Sequence, residues 1–126
     1  MTFPERIPGP ELDSFLAEYI MSWHCDGDWC SDAAGKQQAH AAAFTPSTDD
    51  DAAYLVQKRL ERNGEPSGKP LMFIPYRAHY QQDDTGAYRV TFCGSTREYP
   101  DFGGQGATKE LALCDAALRF IGRSDS

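Results

Sequence analysis

Along PELDSFLAEYIMSW, residues 10–23, apolar side chains recur at Leu12, Phe15, Leu16, Tyr19, Ile20 and Trp23. That is the i, i+3, i+4, i+7, i+8, i+11 spacing of one helical face. Pro10 suits a first turn, and Glu11 and Asp13 set negative charge at the positive end of the helix dipole, so the pattern predicts a first helix over 11–23. The period is lost over 24–44, a stretch rich in Asp, Gly, Ala and Gln, which reads as a long loop with a helical turn suggested at KQQAHAAAF. It resumes in FTPSTDDDAAYLVQKRLERNG. There Thr48 with Asp51 forms a capping-box variant, Ala52, Leu55, Val56 and Leu60 form an inward stripe, and Gly64 suits the left-handed residue that closes a helix. A second helix is predicted over 48–62, followed by the turn-rich GEPSGKP.

From Leu71 the period changes to two. Met72, Ile74, Tyr76, Ala78 and Tyr80 alternate with Phe73, Pro75, Arg77 and His79, as in a half-buried strand. Pro75 cannot donate to a ladder and marks an edge or a bulge. QQDDTG turns the chain into AYRVTFC, a second strand with Tyr88, Val90 and Phe92 on one side. TREYPDF suggests a short third strand and GGQG a flexible connection. TKELALCDAALRFIG then carries Leu111, Cys114, Leu118 and Ile121 in one stripe, flanked by Leu113, Ala117 and Phe120. With Thr108 as cap and Gly122 as stop, it predicts a helix over 108–121. The expected fold is α+β, in the order α-α-β-β-(β)-α, with an antiparallel sheet of two to four strands layered with three helices. Ile74, Tyr76, Val90 and Phe92 should face Leu16, Ile20, Leu55, Leu118 and Ile121.

At 126 residues the chain is expected to form a single domain over 1–126, with 1–9 and 122–126 as flexible ends. A hydrophobic share of 40% is enough for a core, and the longest apolar runs are far too short to cross a bilayer. The N-terminus lacks the basic start and apolar stretch of a signal peptide. The cytoplasm is therefore the expected location, where Cys25, Cys30, Cys93 and Cys114 would be free thiols. Nineteen acidic against twelve basic side chains give −7, which disfavours direct nucleic-acid binding unless the cations gather on one face.

The densest candidate chemistry is WHCDGDWC, residues 23–30. Cys25 and Cys30, with His24 or His40, could supply nitrogen and sulfur ligands to zinc, but C-x4-C followed by C-x9-H fits the usual ligand pairing only in its first half. A calcium loop fails because Cys30 occupies a required oxygen position. A Cys25–Cys30 disulfide needs an oxidising setting or a redox role. The plainer reading packs Trp23 and Trp29 over the end of the first helix, with Asp26 and Asp28 solvated. Cys93 and Cys114 read as structural, His79 lacks a partner in the sequence, GGQG lacks the phosphate-cradle spacing, and the aspartates of TDDDA are explained by capping. No catalytic or cofactor-binding residue and no cofactor are predicted. Asp26, Asp28, Trp29 and Asp32 are the candidates for contact with a protein partner.

Three stretches, ELDSFLAEYIMSWH, FTPSTDDDAAYLVQKRL and ATKELALCDAALRFIG, together resemble the phage ABA-sandwich domain family of bacteriophage and prophage proteins. The likeness lies in a Val-Met-Gly-Trp-like motif at Ile20–Trp23, a Tyr-Ser-Thr-Asp-like motif at Pro46–Asp49 and a Leu-Ala-Ile-Cys-Arg-Ala-Ala-Leu-like motif at Leu111–Leu118. This chain departs by Ser22 for glycine, Pro46 and Ser47 for the aromatic-Ser pair, Leu113 for Ile and Asp115 for Arg. The resemblance implies a phage or prophage origin and a layered fold, and carries no catalytic residues. The expected function is a non-enzymatic accessory protein that binds another protein, such as a host or antiviral-defence factor. The alternative is a zinc-binding module or metal-dependent enzyme using Cys25, Cys30 and a histidine. A double-stranded-RNA-binding fold, with the same strand-to-helix ending, would need more lysines than the single one of GATKELAL.

Overall fold

The computed structural model of the protein describes residues 3–26, 28–32, 34–40, 44–65 and 71–124. Its elements are α1 (Pro10–Tyr19), β1 (His24–Asp26), β2 (Trp29–Ser31), β3 (Gln37–His40), α2 (Asp50–Glu61), β4 (Tyr76–Gln82), β5 (Tyr88–Gly94), β6 (Phe102–Gly106) and α3 (Lys109–Ser124). The class is α+β with antiparallel strands, but the strands form two three-stranded sheets, β1-β2-β3 and β4-β5-β6. The expected long loop over 24–44 is thus corrected: it holds the smaller sheet. Its strands are three or four residues long, too short for an alternation of period two to show above the Asp- and Gly-rich turns between them.

Helix α1 stops at Tyr19 because Ser22 adopts φ 59, in the left-handed region, and swings the chain out of the helix. Ile20, Met21 and Trp23 still bury, Trp23 meeting Phe44 edge to face at 4.9 Å. Helix α2 is capped one residue later than expected, the Asp49 carboxylate accepting from the Ala52 N–H at 3.0 Å. Its end is a Schellman motif: Asn63, at φ 56, donates to the Leu60 carbonyl and Gly64 to the Arg59 carbonyl;. Asn63 therefore takes the left-handed role assigned to Gly64, which follows at φ 83. Helix α3 is capped by the Thr108 hydroxyl on the Leu111 N–H and runs past Gly122 to Ser124.

In the main sheet Val90 and Phe92 of β5, Tyr76 of β4 and Gly104 of β6 turn to the helices while Arg77, His79 and Arg89 face solvent. The strand begins at Tyr76 rather than Leu71, since Pro75 brings no N–H to the ladder. Met72 and Ile74, expected on the buried face, are exposed, as is Leu55, whose turn on α2 points past the core. Ala53 takes the inward place instead. GGQG is strand and not a flexible connection: a Cβ at Gly104 would stand 2.3 Å from the Ala116 nitrogen and one at Gly106 2.8 Å from the Leu111 Cβ. Small residues on both sides let α3 lie directly on β6, and Ala112 to Leu118 are buried without interruption. At the N-terminus, expected to be loose, Pro4 is buried and Arg6 is paired with Asp115.

Candidate functional site

The small sheet carries the residues singled out by the sequence. Its register sets His24 opposite Ser31, Cys25 opposite Cys30, Asp26 opposite Trp29 and Trp29 opposite His40. Cys25 and Cys30 are bonded sulfur to sulfur, so the free-thiol expectation is corrected for this pair. A directly cross-strand position brings the two side chains to the same side of a hairpin, and the C-x4-C spacing was the signal for it. In this form neither sulfur is a thiolate able to hold a metal. Among the described residues no three His, Cys, Asp or Glu side chains converge as a metal site.

Trp29 is 47% exposed and meets His40 edge to face at 5.2 Å, so it crowns the small sheet instead of pinning it to the core. Asp28 is exposed, and with His40 and Phe44 it lines a cavity of about 440 Å³ that reaches Gly9 and Pro10. Asp32 is committed to the β2–β3 turn: one oxygen accepts from the Ala34 and Lys36 N–H groups, the other from the Gln38 amide. The side chain of Asp26 lies outside the described residues.

A larger groove, about 710 Å³, runs between α2 and the edge of β4. Lys58 and Arg62 line it from the helix side, Ile74, Arg77 and His79 from the strand side, and Cys93 of β5 is also in the lining. Glu61 is the one carboxylate among the described residues that line it, held at 3.3 Å from the Lys58 ammonium and 3.2 Å from the Ala78 N–H. Ile74 in its lining is 52% exposed, and Met72 and Phe73, just before it in the chain, are 101% and 48% exposed. Sequence reading missed this groove because it placed Met72 and Ile74 inside.

The opposite edge is built from a buried carboxylate. Asp115 accepts from the Gln105 N–H of β6 at 3.0 Å, from the Arg119 Nε at 3.2 Å and from Arg6. A charge at the inward phase of the stripe, four residues from Leu111, was the available signal. Asp13 of α1 is buried as well and accepts from the Ser47 N–H at 2.8 Å. Burial pushes its carboxyl above the ordinary range, against the two hydrogen bonds from Ser47. Burial also pushes the Cys114 thiol up to about 12, which keeps it an unreactive thiol at neutral pH;. The Tyr80 phenol, pushed up to about 12 by burial and by Glu61, Glu110 and Asp50, donates to Gln57 at 2.8 Å. Asp115, Asp13 and Tyr80 each have a hydrogen-bond partner, and none of these groups is paired with a base as a nucleophile would be;.

The architecture defines an α+β protein with three helices and two three-stranded antiparallel sheets among the described residues. No protein-family model matches the chain, and no curated protein matches it. Among solved structures it is similar to a crystal structure described as a phage protein from Bacillus cereus, with TM-score 0.60 and 15% identity over 97% of this chain and 95% of that one. At that identity the likeness is one of fold. No helix among the described residues is long and apolar enough to cross a membrane.

Proposed function

We propose that the chain is a small phage or prophage accessory protein that acts without catalysis, by binding another protein. A host factor or a component of host antiviral defence is the expected class of partner, met in the host cytoplasm. The phage half is supported by the sequence motifs and by the shared fold of the Bacillus cereus phage protein. The observation that carries the binding half is the exposed run Met72, Phe73 and Ile74 beside the α2–β4 groove. Consecutive large apolar side chains left in water mark contact surfaces more often than they mark chance. Trp29 with Asp28 offers a second, smaller surface.

The test compares tagged wild type with a Phe73→Asp, Ile74→Asp double variant as bait in lysate of a susceptible host. The expected result is a specific partner retained by wild type and lost by the variant, at unchanged melting temperature. Recovery of the same proteins by both baits, or of none by either, overturns the reading.

A further inference from the structure

We infer that the α2–β4 groove takes an acidic polypeptide segment that carries an apolar anchor. The inference rests on the protein-binding reading and names the chemistry of the partner. The whole chain is at −7, yet among the described residues that line this groove Lys58, Arg62 and Arg77 stand with Glu61 as the one carboxylate, and His79 lies beside Arg77. Both oxygens of Glu61 are engaged, one by Lys58 and one by the Ala78 N–H, so its charge is largely answered within the groove. Three Lys or Arg side chains against one carboxylate leave the lining net cationic, with Ile74 in the wall and the exposed Met72 and Phe73 just before it in the chain.

Charge and shape together select the occupant. A local cationic groove on an acidic body attracts an acidic partner and repels from its flanks any other approach, which favours register over raw affinity. The exposed Ile74 in the wall then needs a side chain to cover it, as an apolar anchor does at the centre of a contact;. A nucleic-acid strand would meet the acidic remainder of the surface on leaving the groove. Strand addition to β4 is blocked where Glu61 occupies the outward Ala78 N–H;. The segment therefore docks through its side chains.

The experiment measures fluorescence anisotropy of labelled synthetic peptides with the full chain. One peptide interleaves Glu with Leu and Phe, a second carries Lys for each Glu, and a third carries Ser for each Leu and Phe; a short single-stranded DNA is the fourth probe. The expected result is binding of the first alone, weakened roughly tenfold by Arg77→Glu and by Ile74→Asp and weakened by added salt. Alkylation of Cys93, which lines the groove, should slow when that peptide is bound. Equal binding of the Lys or Ser peptide, or tighter binding of the DNA, overturns the inference. A partner captured from lysate that survives Arg77→Glu and Ile74→Asp but is lost on Trp29→Ala overturns the groove while leaving protein binding in place. Failure of every peptide and of every capture overturns both.

Discussion

Asp115→Ala tests whether one buried carboxylate holds three parts of the fold together. Asp115 is 3% exposed and joins α3 to the outward N–H of Gln105 on β6, to Arg119 one turn on, and to Arg6 of the N-terminal segment. Removing one partner of a fully buried ion pair costs about 3–5 kcal/mol, because a charge is stranded. Here the Arg6 and Arg119 side chains are 51% and 57% exposed, so both cations can return to water, and each pair counts for about 1 kcal/mol at most. The orphaned Gln105 N–H adds about 1 kcal/mol, at the low end for an unmet donor because the residue reaches solvent. The expected loss is therefore about 2–3 kcal/mol. At roughly 2.1 cal/mol/K of unfolding entropy per residue, that lowers Tm by about 10 °C. Asp115→Asn keeps one acceptor and should lose roughly half as much. Urea titration with Arg6→Met and the double variant gives the coupling directly, expected at about 1 kcal/mol. A loss below about 1 kcal/mol for Asp115→Ala would refute the reasoning and return Arg6 and Gln105 to independent solvation.

Ser22→Gly should stabilise by about 0.5–1 kcal/mol in urea, since relief of a left-handed L-residue, about 1–2 kcal/mol, outweighs the entropy that glycine adds to the unfolded chain; any loss of stability would count against the Ser22 backbone assignment. For the Cys25–Cys30 bridge, with sequence separation 5, the chain-entropy relation gives about 2 kcal/mol. Reductant should lower Tm by about 8 °C and raise the number of alkylated thiols, whereas identical melts with and without reductant would remove the bridge from the argument. Elemental analysis of the reduced protein is expected to find no stoichiometric zinc; zinc at one per chain would support the alternative metal module. Asp13 has its folded pKa raised chiefly by burial, so the folded state holds that proton more tightly than the unfolded chain. Its contribution is full below the ordinary carboxylate range and is lost as pH rises through the raised value. Asp13→Asn should flatten that decline and equal or exceed wild type at pH 7, while Asp13→Ala, which orphans the Ser47 N–H, should fall below it by about 1–3 kcal/mol; a larger deficit for Asp13→Asn at pH 7 than at pH 4 would overturn this account.

What was legible in the sequence follows from what repeats often enough to be counted. Leu12, Leu16, Val56, Leu60 and Leu118 are all buried where helical periodicity put them, because each helix offers several turns of the same spacing. The three motifs on which the resemblance rests are joints in the fold. Ser22 bends α1 into β1, Ser47 bridges the start of α1 to the start of α2, and Ala112 to Ala116 seat α3 on the glycines of β6. Motifs of that kind fix architecture and are silent about partners. The short strands were hidden for the opposite reason, having no second period to confirm the first. GGQG was misread because glycine signals both a flexible turn and a close approach, and only the packing of Ala112 and Ala116 decides between them;. Leu55 and Ile74 were placed inside because they are apolar, and their exposure is what first separates a surface from a core.

The two edges of the main sheet narrow where such a surface can act. An unpaired edge strand invites another strand, and folded proteins blunt it. Here a carboxylate stands at each side: Glu61 of α2 accepts from Ala78 on β4, and Asp115 of α3 accepts from Gln105 on β6. Each acid is itself paired with a cation from its own helix, Lys58 or Arg119, at i−3 or i+4. The β6 edge is closed further by α3 lying over the glycines. The β4 edge is closed at one N–H but opens beside it into the groove, where Arg77 and His79 project from the solvent face. Under the proposed protein-binding reading, a partner would be steered away from backbone pairing and toward side-chain contacts at Ile74, Lys58 and Arg77, and reversal of charge at Arg77 should be felt before any change in the sheet.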